Sequence, residues 1–119
     1  MFLFTKAQRL LKKSDYDHVF AQAEKIVTND FVLLFRKNDL GYARLGLALS
    51  KKMIAKAHDR NRIKRLLREC FRQASLPSVD VIFLARHGVA KQTNIGLNTR
   101  MSKTWEKLTA CYNKLFACQ

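Results

Sequence analysis

Apolar residues recur at Tyr16, Val19, Phe20 and Ala23, the i, i+3, i+4, i+7 spacing of one helical face, and Ser14 precedes Asp17 at capping-box distance. The pattern predicts a first short helix over residues 14–23. Two β-prone runs follow, residues 26–28 and 31–36, parted by the turn pair Asn29 and Asp30, and a second turn is expected over 38–41. Residues 43–50 then alternate cleanly, with Leu45, Leu47 and Leu49 on one face and Arg44, Gly46, Ala48 and Ser50 on the other. The small face suits either a closely packed helix or the floor of an open groove.

From residue 59 to 74 the apolar positions are Ile63, Leu66, Leu67, Cys70, Phe71 and Ala74, the stripe of a half-buried helix, which Pro77 stops. Residues 79–86 read as the last strand, so strand, helix and strand imply a parallel pair. Leu97, Met101, Trp105, Leu108, Cys111, Tyr112, Leu115 and Phe116 share one stripe of a closing helix. The order is αβββαβα, an α+β sandwich in which helices cover a sheet. With 119 residues and no linker, repeat or low-complexity segment, the chain is expected to form a single domain over 1–119.

Charge changes the picture most. Twenty-three Lys and Arg against nine Asp and Glu leave +14, which weakens a compact state by self-repulsion and points to a polyanionic partner. Nucleic acid leads and an anionic membrane surface follows. No stretch approaches the ~18 consecutive apolar residues of a spanning helix. The first eleven residues, broken by Lys6, Gln8 and Arg9, lack the signature of a signal peptide, so a cytoplasmic protein without membrane association is expected. Cys70, Cys111 and Cys118 form no C-x-x-C pair, and neither a disulfide framework nor a zinc site is indicated.

At ~100° per residue, Asn61, Arg65, Arg68 and Arg72 stand opposite the apolar stripe of the second helix, with Arg60, Arg62 and Lys64 on its flanks. Only Glu69 and Asp59 offer acidic partners within the helix, so this face is expected to point its cations outward. Lys51, Lys52, Lys56 and His58 extend the patch to the helix N-terminus, where free N–H groups also attract phosphate. Arginine dominates, and its planar fork matches phosphate oxygens in two-point contacts. Asn61 either caps its neighbours or joins the binding face. No catalytic centre is visible. Asp15 and Asp17 do not face together, Asp30, Asp39 and Asp80 read as turn residues, and His18, His58 and His87 are scattered. No catalytic residue and no protein metal ligand is therefore assigned.

The run Arg60-Asn61-Arg62-Ile63-Lys64-Arg65-Leu66-Leu67-Arg68-Glu69 resembles the signature helix of the bacterial ribonuclease P protein component. Arg44-Leu45-Gly46-Leu47-Ala48-Leu49-Ser50-Lys51-Lys52 before it and Val81-Ile82-Phe83-Leu84-Ala85-Arg86 after it are similar to that family's strands. Arg9-Leu10 and the Tyr16 and Phe20 pair also fit, and the resemblance fades past about residue 112. It implies the ribosomal protein S5 domain 2-like fold, with a left-handed βαβ crossover although ~98% of such crossovers are right-handed.

The resemblance also implies a function. The family's protein is a small partner of a catalytic RNA subunit in the ribonucleoprotein endonuclease that removes the 5′ leader from precursor tRNA, and the RNA does the chemistry. Lys51, Lys52, Arg60, Asn61, Arg62, Lys64, Arg65, Arg68 and Arg72 would then contact the RNA subunit. Tyr16, Phe20, Val32, Leu34, Gly46, Ala48 and Ser50 would line a groove for the leader, which selects the groove floor for the small face, while Tyr16 and Phe20 also suit ordinary helix-to-sheet core. Leu34 stands where some members carry an aromatic, and Ala23 where a Gly often ends the first helix. Mg²⁺ is expected at the RNA's catalytic phosphates, and the free protein is expected to be monomeric. A structural RNA-binding protein of ribosomal type explains charge, size and fold equally well, and only the 60–68 motif with Ser50-Lys51-Lys52 separates the two. A DNA-binding module would need polar side chains reaching base edges, which an arginine face does not supply.

Overall fold

The alternating runs pair into one four-stranded mixed sheet in the computed structural model, which describes residues 8–10 and 12–116. The elements are α1 (Lys13–Ala21), β1 (Glu24–Val27), β2 (Phe31–Lys37), β3 (Arg44–Ala48), α2 (Ala57–Gln73), β4 (Val79–Ala85) and α3 (Asn94–Phe116), with a 3-10 turn at Val89–Lys91. The strand order is β1-β2-β4-β3, antiparallel except for the β3/β4 pair, which α2 connects. This is the expected αβββαβα order and an α+β fold.

Period-two alternation divides the sheet into two faces. Phe31, Leu33, Phe35, Leu45, Val81 and Phe83 point into the main core beneath α2 and α3, where they meet Ile63, Leu67, Phe71, Leu97, Met101, Trp105 and Leu108. Phe31 and Phe83 stack with centroids 4.8 Å apart. Each such buried side chain contributes about 1.5–3 kcal/mol, which makes this face the main source of stability. The opposite face carries a smaller cluster of Leu10, Val19, Leu34 and Ile82 under α1, with Tyr16, Val32, Ala48 and Leu84 packed at its margin. Leu10 reaches it because its N–H donates to the Leu45 carbonyl at 3.0 Å and Arg9 bridges to Leu45, laying the N-terminal segment along the β3 edge.

Several boundaries differ from expectation for local reasons. α1 begins at Lys13 with Lys12 as its N-cap and no side-chain cap, so Ser14 lies inside the helix and the capping box with Asp17 does not form. It ends at Ala21, where Gln22 turns extended, and Ala23 packs at the margin of the small cluster. α2 starts two residues earlier than expected. β3 stops at Ala48, leaving Ser50 exposed beyond its end. Cys118 and the Phe116 side chain lie outside the described residues.

Two of the three aspartates expected at turns, Asp30 and Asp80, are ion-paired. Arg44 Nε and Nη2 grip the buried Asp80 carboxylate at 2.8 and 2.6 Å, and Asn38 Nδ2 donates to the same carboxylate at 2.8 Å. The hydrogen bond to Asp80 holds the Arg44 guanidinium still further toward its charged form. Asp30, at the β1–β2 turn that Thr28 Oγ1 closes, pairs with Arg100 of α3 at 2.7 Å.

Candidate functional site

α2 exposes a cationic face at the β3 edge. Arg65 and Arg68 are exposed, as is Asn61 between them and the helix start, while Lys64 is half-buried alongside. With Arg9 and Arg72 they line a cleft of about 480 Å³. Lys51 and Lys52 are exposed in the turn before α2. These residues lie together because the apolar stripe Ile63, Leu67, Cys70 and Phe71 faces the core and turns the remaining positions outward.

Three of the arginines expected to point outward do other work. Arg60 Nη1 donates to the Ile54 and Ala55 carbonyls at 2.8 and 3.1 Å, bracing the loop into α2. Arg62 spans the gap to α3, donating to the Ala90 carbonyl at 2.8 Å, the Gln92 carbonyl at 3.3 Å and Asn94 Oδ1 at 2.6 Å. Arg72 pairs with Glu69 one turn earlier. Counting acidic partners within the helix misses these links, because two of the three arginines are satisfied by backbone carbonyls outside it.

The second surface lies on the opposite face of the sheet. Register places Val27, Val32, Leu84 and Ala48 in one row across all four strands, and Lys25, Leu34, Ile82 and Gly46 in the next. The second row is roofed by α1. Leu34 is only 5% exposed, and a Cβ on Gly46 would stand 2.8 Å from the Tyr16 ring, so Tyr16 rests directly on Gly46. Leu34 and Gly46 therefore form the floor beneath the helix rather than open groove. The first row stays accessible, with Val32, Ala48 and Leu84 half-buried and Val27 exposed. Phe20 projects from the end of α1 at 49% exposure. Leu84 and Val27 were not among the expected groove residues. Their alternation is readable, but their place in the row depends on strand order.

His18, His58 and His87 are exposed on separate elements. Among the described residues no group of three or more His, Cys, Asp or Glu side chains is placed to hold a metal ion. Burial pushes the Cys70 thiol up, so it stays protonated near neutral pH, and it donates to Asn98 Oδ1 at 3.1 Å.

Comparison with known proteins bears on this arrangement of a cationic helix over a sheet with an open row. The sequence model of the family described as Ribonuclease P matches residues 4–109. A Ribonuclease P protein component of Legionella pneumophila (strain Lens) is 73% identical over 114 residues, covering 96% of this chain and 100% of that protein. One from Chromohalobacter salexigens is 47% identical, covering 88% of this chain and 84% of its own length. Among solved structures, the Staphylococcus aureus RNase P protein superposes with a TM-score of 0.79 at 27% identity, covering 87% of this chain and 99% of that one. The Thermotoga maritima RNase P protein gives 0.75 at 26% identity, covering 83% and 96%. Sequence and fold agree over nearly the whole length, and the chain belongs to the ribonuclease P protein component family.

Proposed function

We propose that the chain binds the catalytic RNA subunit of ribonuclease P through the α2 face and the 5′ leader of precursor tRNA through the open row beside α1. The observation that carries this reading is the cationic group Lys64, Arg65 and Arg68, which α2 presents with Asn61 beside Arg9, in a cleft whose one acidic lining residue, Glu69, is paired with Arg72. Phosphate oxygens are the natural counterpart of closely set guanidinium forks, and the row of Val27, Val32, Leu84 and Ala48, with the exposed Phe20 ring of α1, offers sequence-tolerant apolar contact to unpaired bases. The RNA carries out the hydrolysis. The protein's contribution is to position the leader and to neutralise phosphates where RNA subunit and substrate meet. Mg²⁺ would act at the RNA's own phosphates, activating water and stabilising the leaving oxygen. The free chain works as a cytoplasmic monomer, and none of its described helices is long and apolar enough to cross a membrane.

The test is reconstitution. Adding the purified chain to a bacterial ribonuclease P RNA at low Mg²⁺ should restore precursor tRNA cleavage. The Arg65→Ala, Arg68→Ala double variant should lose RNA-subunit affinity while keeping its far-UV spectrum and melting point. Retained affinity in that variant would overturn the assignment of α2.

A further inference from the structure

A second cleft, of about 730 Å³, opens between α2 and α3 on the other flank of the basic helix. It shares Asn61, Arg65 and Glu69 with the cleft beside Arg9 and adds apolar and amide side chains. Ile95, in the first turn of α3, is 82% exposed and shares the cleft with the half-buried Leu66 of α2. Single exposed aliphatic residues are ordinary. Here, however, Ile95 stands between two oriented amides. Asn94 Oδ1 accepts from Arg62, and Asn98 Oδ1 accepts from the Cys70 thiol, so the hydrogen-bond network fixes which end of each amide is engaged. An amide whose oxygen is engaged presents its NH₂ group, and the cleft thus offers two neutral donors beside an apolar surface. Arg65 and His58 stand at the same cleft, as does Glu69, whose carboxylate is taken up by Arg72 and Gln73. A bare phosphate would use the cations and leave Ile95 idle. An aliphatic ligand would use Ile95 and Leu66 and leave the donors unpaired.

We propose that this cleft holds one unstacked guanine nucleotide of the RNA bound by α2, its base against Leu66 and Ile95, its two-acceptor edge facing the amides of Asn94 and Asn98, and its phosphate at Arg65 and His58. The proposal rests on the reading of α2 as an RNA-binding face and adds a base-selective site to it. Guanine is the base whose major-groove edge carries two adjacent acceptors, O6 and N7, whereas adenine sets a donor beside its N7. Unpaired bases splayed from loops and bulges are the usual targets of such edge recognition in RNA.

The experiment is an NMR titration of the intact chain with GMP, AMP and ribose 5-phosphate, following the Ile95 and Leu66 methyls and the Asn94 and Asn98 side-chain amides. GMP should shift all four groups saturably, with AMP about tenfold weaker, the scale of one base-edge discrimination. Ribose 5-phosphate should shift only signals near Arg65 and His58. Equal responses to GMP and ribose 5-phosphate, or to GMP and AMP, would overturn the proposal. Because Ile95 is so exposed, Ile95→Asp should fold normally, yet it should abolish the GMP response and weaken RNA-subunit binding. If RNA affinity falls in Arg65→Ala, Arg68→Ala but is unchanged in Ile95→Asp, the nucleotide site is wrong and the RNA-binding face stands. If affinity survives the double arginine change, the broader reading has failed.

Discussion

Arg62 and Arg65 stand three residues apart in one basic run and do opposite things. Arg62 satisfies two backbone carbonyls and Asn94 Oδ1, fastening α2 to the start of α3, whereas Arg65 is exposed on the outer face. Arg62→Ala should therefore cost about 1.5–3 kcal/mol in urea unfolding, the range for hydrogen bonds to a charged group whose partners are left behind. Arg65→Ala should stay within about 0.5 kcal/mol of the parent and show its loss only in RNA binding. Phe20 makes a similar contrast on the other face. At 49% exposure it gives up little packing when truncated, so Phe20→Ala should leave the melting point nearly unchanged. It should weaken precursor tRNA binding in the assembled enzyme more than mature tRNA binding, because only the precursor carries a leader, and equal losses would remove Phe20 from the groove. Gly46 is the most constrained position there. Gly46→Ala puts a methyl group 2.8 Å from the Tyr16 ring, which must swing outward. Stability should fall by about 1 kcal/mol, the low end of overpacking since a half-buried ring can move.

Elements hold together through a few ionic joints whose worth depends on burial. Asp80, 2% exposed, takes two hydrogen bonds from Arg44 and one from Asn38, joining β4 to β3 and to the end of β2. Asp80→Ala leaves the Arg44 guanidinium with only Asp15, 3.8 Å away, as an acidic partner and should cost about 3 kcal/mol by chemical denaturation, the low end for a broken buried pair. Asp30→Ala should cost clearly less, since its partner Arg100 is 44% exposed and solvent screens the pair. A reversed order of these two variants would show that the turn joint, not the sheet joint, carries the fold. Neither joint was readable from the chain, where both aspartates look like ordinary turn residues. The elements themselves were readable, because strand alternation and the α2 stripe are local patterns that burial reinforces. What periodicity cannot supply is adjacency. The order β1-β2-β4-β3 sets Leu84 between Val32 and Ala48, and it takes the folded chain to bring Arg62 against Gln92 and Asn94, about thirty positions away. The Ser14 and Asp17 capping box failed for the opposite reason, a local signal overridden when the helix began one residue before its cap. The family's signature run was legible by resemblance, while the division of its arginines between joints and open surface needed the three-dimensional partners.

At the scale of the whole molecule, +14 on 119 residues means that the free protein folds against its own repulsion. With Arg60, Arg62 and Arg72 engaged inside the protein, contacts to about six phosphates would give a fall of log K with log[salt] of slope about −4 to −5. A slope near −2 would mean that most of the surface charge is idle in binding. The same charge makes the folded form a better anion receptor than the unfolded chain, because only folding gathers Arg9, Lys64, Arg65 and Arg68 around one cleft. An anion that binds this native cluster stabilises it by RT ln(1 + [L]/Kd), about 2.7 kcal/mol at a hundredfold excess over Kd. Sulfate would confuse the measurement, since it also stabilises proteins generally by exclusion from their surface. Pyrophosphate or a short oligonucleotide at millimolar concentration or below avoids that effect. Either should raise the melting temperature saturably, and the rise should largely vanish in the Arg65→Ala, Arg68→Ala variant. A shift that survives the double change would move the anion site away from α2, and no shift at all would mean that the basic helix is not a preformed anion site.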